Sequence, residues 1–108
     1  MNIDELTIGQ LKQLQSIMGK ADAHPWKVGK AYLIRTVTHY YTGRLVLVTE
    51  KELELEDVAW IADTGRFYDC LVKGELKEIE PFTANVIVGR GAIVDAVEWT
   101  KPLPREQK

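Results

Sequence analysis

Residues 30–56, KAYLIRTVTHYYTGRLVLVTEKELELE, decide the fold class. The first part is dense in β-branched and aromatic residues, GRLVLV (43–48) offers apolar side chains to both faces, and ELELE (52–56) alternates strictly. Branched and ring side chains pack well on a pleated, half-buried surface, so this composition favours strands. The stretch predicts a three-stranded meander with turns near Thr42-Gly43 and Thr49-Glu50-Lys51, its middle strand buried on both sides. Successive strand residues point to opposite faces, which sends Glu52, Glu54 and Glu56 one way and Leu53 and Leu55 the other.

Working toward the C-terminus, DVAWIA (57–62) extends the third strand. Phe67, Cys70 and Leu71 then fall at helical spacing, with Gly74 placed for a left-handed stop. A second short helix is predicted near 64–73, entered through Asp63 as a capping carboxylate. ELKEIEPF (75–82) reads as an edge strand ended by Pro81. NVIVGRGAIVDAVEW (85–99) reads as two apolar strands hinged at Gly89-Arg90-Gly91, glycines that suit a close backbone approach. TKPLPREQK (100–108) reads as an extended, partly mobile tail.

Working toward the N-terminus, residues 20–29 form a connector in which Pro25 pushes His24 toward extended backbone. Residues 4–19 carry a capping box, with Thr7 as the cap and Gln10 three residues on. Ile8, Leu11, Leu14, Ile17 and Met18 follow as one apolar stripe, stopped at Gly19. An N-terminal helix of this length needs tertiary or intersubunit packing to persist.

The chain has 108 residues, 45% hydrophobic and 28% charged, which fits a single domain over 1–108 with a β-rich core at 30–99 and excludes disorder. The expected class is mainly β (α+β): a small five- to six-stranded barrel or half-open sandwich with an N-terminal helix and a second short helix. No apolar run is long enough to span a bilayer, and MNIDELTIGQ lacks a signal-peptide core, which predicts a cytoplasmic protein without membrane contact. One cysteine and two histidines make no metal cluster, and no cofactor is expected.

Charge is unevenly spread. The net charge is -2, yet Lys20, Lys27, Lys30, Arg35 and Arg44 precede a segment crowded with Glu50, Glu52, Glu54, Glu56 and Asp57. A basic edge of one subunit meeting an acidic edge of the next would close a ring.

Asp63-Thr64-Gly65 resembles the active-site triplet of retroviral-type aspartic proteases, and VIVGRGAIV resembles the Gly-Arg segment that flanks it. The resemblance implies a dimeric hydrolase in which two carboxylates share a proton. Asp63 and Gly89 stand too close in sequence for the intervening flap, and Arg66 would favour both carboxylates ionised, which opposes sharing. A capped turn accounts for the same residues. Cys70 with His39 as a nucleophilic pair is opposed by the position of Cys70 on an apolar helix face, where thiols are buried and inert.

The order helix, YTGRLVLV, ELELEDV, VIVGRGAIV resembles the Sm-like small barrels, through Gly43-Arg44-Leu45 and Arg90-Gly91-Ala92-Ile93-Val94. That family builds rings by pairing strands across subunits and binds RNA near the pore, which implies a homo-oligomer and, as an alternative, an RNA-binding ring using Arg90, Arg44, His39 and Tyr41. Where the family has a base-contacting polar residue, this chain has TEKEL (49–53). The chain is also similar in general character to small proteins of bacteria and phages. The expectation is a non-enzymatic, self-assembling structural protein, with Leu11, Leu14, Met18, Glu52, Glu54 and Arg35 as candidate oligomer contacts.

Overall fold

The computed structural model describes residues 24–108. The N-terminal helix, with Leu11, Leu14 and Met18, lies outside the described residues. Strands β1 (Ala31–Thr36), β2 (Tyr40–Val48) and β3 (Glu52–Asp63) form the expected antiparallel meander. Helix α1 (Phe67–Lys73), β4 (Glu78–Pro81), β5 (Val86–Gly89), a 3-10 turn at Arg90–Ala92 and β6 (Ile93–Glu98) complete the order. The sheet runs β4-β3-β2-β1-β6, and β5 pairs with the other half of the long β3. It does not close. The barrel expectation is therefore corrected to an open six-stranded antiparallel sheet, because β6 finds a strand partner only in β1 among the described residues.

The central strands carry buried side chains on both faces. In β1, Tyr32 and Ile34 enter one core with Leu45, Leu53, Leu55, Val58 and Val88. The intervening Leu33 enters a second core with Ala59, Ile61, Cys70, Leu76, Ile79 and Trp99. Alternation thus splits β1 between two apolar clusters. β5, paired with β3, adds Val88 and the half-buried Val86 to the first core, while Cys70 of α1 and Trp99 and Leu103 of the C-terminal segment pack in the second. The ELELE reading holds: Leu53 and Leu55 are fully buried, while Glu52 is exposed and Glu54 and Glu56 are half-buried.

A change of side within β3 makes this possible. Between the pairs Thr42↔Ala59 and Arg44↔Glu56, two β3 residues oppose the single Gly43 of β2. This bulge sits at Asp57, which has φ 50, a left-handed backbone rare outside glycine. Leu53 and Leu55 therefore share the first core with Val58, and the odd-numbered Ala59 and Ile61 go to the second.

The turn at Thr49–Lys51 is as read, and one turn and one helix cap are corrected. The β1–β2 turn lies at Val37–His39, where Thr36 Oγ1 donates to the His39 carbonyl at 2.8 Å and accepts the His39 N–H at 2.9 Å. Thr42-Gly43 lies inside β2 instead, because Gly43 serves the bulge and not a turn. The second helix is shorter than expected and its N-cap is Arg66, in extended backbone, so Asp63 is not the helix cap. The Asp63 carboxylate holds the preceding turn by accepting the Gly65 N–H at 2.8 Å. The stop at Gly74 is as read, with φ 73 and its N–H donating to the Cys70 carbonyl.

The segment after β6 straps the second face. Trp99 Nε1 donates to the Pro102 carbonyl, Arg105 reaches Asp57 at 3.0 Å, and Lys108 and Ile79 exchange two backbone hydrogen bonds of 3.0 Å. The outer edge of β4 is paired by this segment.

Candidate interaction surfaces

The arginines singled out by sequence are engaged within the chain. Arg44 donates to Glu56 at 3.1 Å and to Asp57 at 2.9 Å, where Arg105 also reaches. The basic and acidic segments are thus neighbouring strands, and Arg44 finds its acids beside it. Arg35 pairs through two nitrogens with Asp95 of β6 and lies over the rings of Tyr40 and Phe67, 5.8 and 5.0 Å from their centroids. It ties β6 and α1 to the second face. Arg90 donates to the Thr49 carbonyl at 2.7 Å, pinning the 3-10 turn to the β2–β3 connection. A Cβ at Gly89 or Gly91 would meet nothing within 4 Å, so the expected close approach at the hinge is absent. Glu54 accepts from Asn85, and Glu52 is exposed.

The hydrogen bonds from Arg44 and then Arg105 lower the Asp57 carboxyl below its ordinary range, and that from Arg35 lowers Asp95. A carboxylate depressed by folding contributes stability above its ordinary value, near 4, and that contribution is lost as pH falls through the lower folded value. The melting temperature of the wild type is expected to fall on acidification below about pH 4. Asp57→Asn should flatten that fall while lowering the plateau at pH 7. Thermal melts from pH 7 to pH 2.5 test this, and an unchanged acid limb would refute it.

Burial pushes the Cys70 thiol up, and its side chain sits fully inside the second core. Cys70 is the buried residue of α1 in the second core, whereas His39 lies in the β1–β2 turn against Tyr41 and Trp60. Among the described residues no three His, Cys, Asp or Glu side chains converge as a metal site, and no helix is long and apolar enough to cross a membrane.

Two surfaces remain uncommitted among the described residues. One is a pair of open sheet edges. The outer side of β6 has no strand partner, and Val94 and Val97 are 64% and 44% exposed. The outer side of β5 is likewise unpaired, with Ile87 63% exposed, and Ile87 lies in register with Glu54 and, through it, Leu47. Sequence identified both strands but could not show that their outer sides stay open.

The other surface is aromatic. His39 stacks on Tyr41 at 5.9 Å between ring centroids, Trp60 meets His39 edge-on at 5.4 Å, and Phe82 tilts against Tyr41 at 6.0 Å. Of the four candidate RNA-binding residues, the structure brings together His39 and Tyr41 and leaves Arg44 and Arg90 in their ion pair and carbonyl contact. Trp60 and Phe82 were not selected from sequence, where their contact with His39 and Tyr41 across β2, β3 and the β4–β5 connection has no local signature. No protein-family model matches this chain, and no curated protein or solved structure matches it significantly.

Proposed function

We propose that this protein is a non-enzymatic interaction module that assembles with copies of itself, the open β6 edge of one copy pairing with the β5 edge of the next. The observation that carries this reading is the state of the two edges. An unpaired edge presents a row of N–H and C=O groups that templates another strand, and proteins that remain monomeric blunt such edges with lysine, proline or a covering segment. The β4 edge is covered by residue Lys108. The strands β5 (VIVG) and β6 (IVDAVE) contain neither lysine nor proline.

The side chains favour the same occupant. Asp95 of β6 is already neutralised by Arg35, and Val94 and Val97 are exposed beside Glu98, whose carboxylate lies 3.9 Å from the Lys27 ammonium. Ile87 and Leu47 offer apolar surface beside the β5 edge. Because β5 and β6 are different surfaces, the contact is head-to-tail, and it repeats until a ring closes or a filament grows.

Light scattering at micromolar concentration is expected to give a mass above one chain. Val94→Lys with Val97→Lys should reduce it to the monomer mass with an unchanged far-ultraviolet dichroism spectrum. A monodisperse wild-type monomer would sink the proposal, as would a double variant that assembles like the wild type.

A further inference from the structure

The aromatic strip does not belong to either edge, and its chemistry points to a different kind of partner. We propose that Phe82, Tyr41, His39 and Trp60, with the adjoining pocket that ends at Asp63, bind an extended polypeptide segment through its lysine or arginine side chains. The inference does not depend on self-assembly.

Exposure is the first argument. Trp60 is 37% and Phe82 44% exposed, although both touch other rings. The faces of tryptophan and tyrosine attract cations, and several rings in series offer more than one such contact to an extended chain.

Charge is the second. Glu80 is the cross-strand partner of Trp60, and in β4 the buried Ile79 faces the second core, so Glu78 and Glu80 point to the side on which Trp60 lies. A pocket of about 310 Å³ adjoins the strip, lined among others by Thr38, His39, Trp60, Ala62, Asp63 and Thr64, with no lysine or arginine among its lining residues. One oxygen of Asp63 is fixed by the Gly65 N–H, and the other takes no hydrogen bond among the described residues. A lysine side chain entering this pocket would lay its methylenes on Trp60 and bring its ammonium to that oxygen. A nucleic acid would instead bring phosphates toward Glu78, Glu80 and Asp63, and Arg44 and Arg35 are held by carboxylates of this chain.

The test is a titration of the full 15N-labelled chain with an acetylated Lys-Gly-Lys-Gly-Lys amide, its glutamate counterpart and a uridine oligonucleotide. The lysine peptide should shift the resonances of His39, Tyr41 and Ala62 and the indole N–H of Trp60, and the glutamate peptide should not. Trp60→Ala should weaken binding about fivefold. Asp63→Asn, which keeps an acceptor for the Gly65 N–H, should weaken it similarly, and Glu80→Gln supplies a surface variant should Trp60→Ala fail to fold. Absence of shifts, shifts elsewhere, an equal response to the glutamate peptide, stronger binding of the oligonucleotide, or variants that bind like the wild type would each overturn the proposal.

Discussion

Leu33→Ala and Ile34→Ala are each expected to lower the free energy of unfolding by about 2–5 kcal/mol, the range for truncating a large buried aliphatic side chain. The two residues are adjacent and point to opposite faces, yet they are 1% and 0% exposed. A sheet with one wet face would make one of these substitutions nearly neutral. Here each leaves a void among a different set of side chains: Leu33 among Ile61, Cys70 and Trp99, Ile34 among Leu45, Leu55 and Val58. Val97→Ala in the neighbouring strand, where the side chain is 44% exposed, should stay within about 0.5 kcal/mol of wild type. Urea denaturation with a constant slope decides the matter. A cost below about 1 kcal/mol at either β1 position would mean that its face is not sealed.

Gly43→Ala should cost about 1–3 kcal/mol, an overpacking penalty. A Cβ at this position would stand 3.0 Å from Val58 Cγ2, 3.3 Å from the Glu56 carbonyl oxygen and 3.3 Å from Leu55 Cβ. The Asp57 bulge creates this crowding, because it places two residues of β3 across from one of β2. Part of the obstruction is the Val58 side chain, so Val58→Ala should make the second substitution cheaper, and a double-mutant cycle should show coupling of at least about 0.5 kcal/mol. Gly89→Ala and Gly91→Ala, which meet open space, serve as controls. Additive behaviour of Gly43 and Val58 would show that β3 does not approach β2 there.

The interaction surfaces were less legible than the strands, and particular residues show why. His39 and Tyr41 stand close in sequence, and their pairing could be anticipated. Trp60 and Phe82 join them only because β3 lies beside β2 in one register and the chain leaving β4 returns to Val58, where the Phe82 N–H donates to its carbonyl. Arg44 looked free to meet a partner because charge along a sequence does not reveal strand pairing. Once Glu56 is its cross-strand neighbour, the nearest acid belongs to the same chain.

By itself the sequence determined the mainly β class, the alternation of ELELE, the stop at Gly74, the β5–β6 hinge and the burial of Cys70. Each of these rests on side-chain period or on local backbone preference, which act over a few residues. Tertiary structure alone decided that the sheet stays open among the described residues, that β1 is buried on both faces, and that Gly43 belongs to a bulge and not a turn. It also decided that Asp63 holds a turn without capping the helix. These outcomes depend on which strands meet and in what register, and a one-residue shift of the kind Asp57 introduces sends every following side chain of β3 to the opposite face.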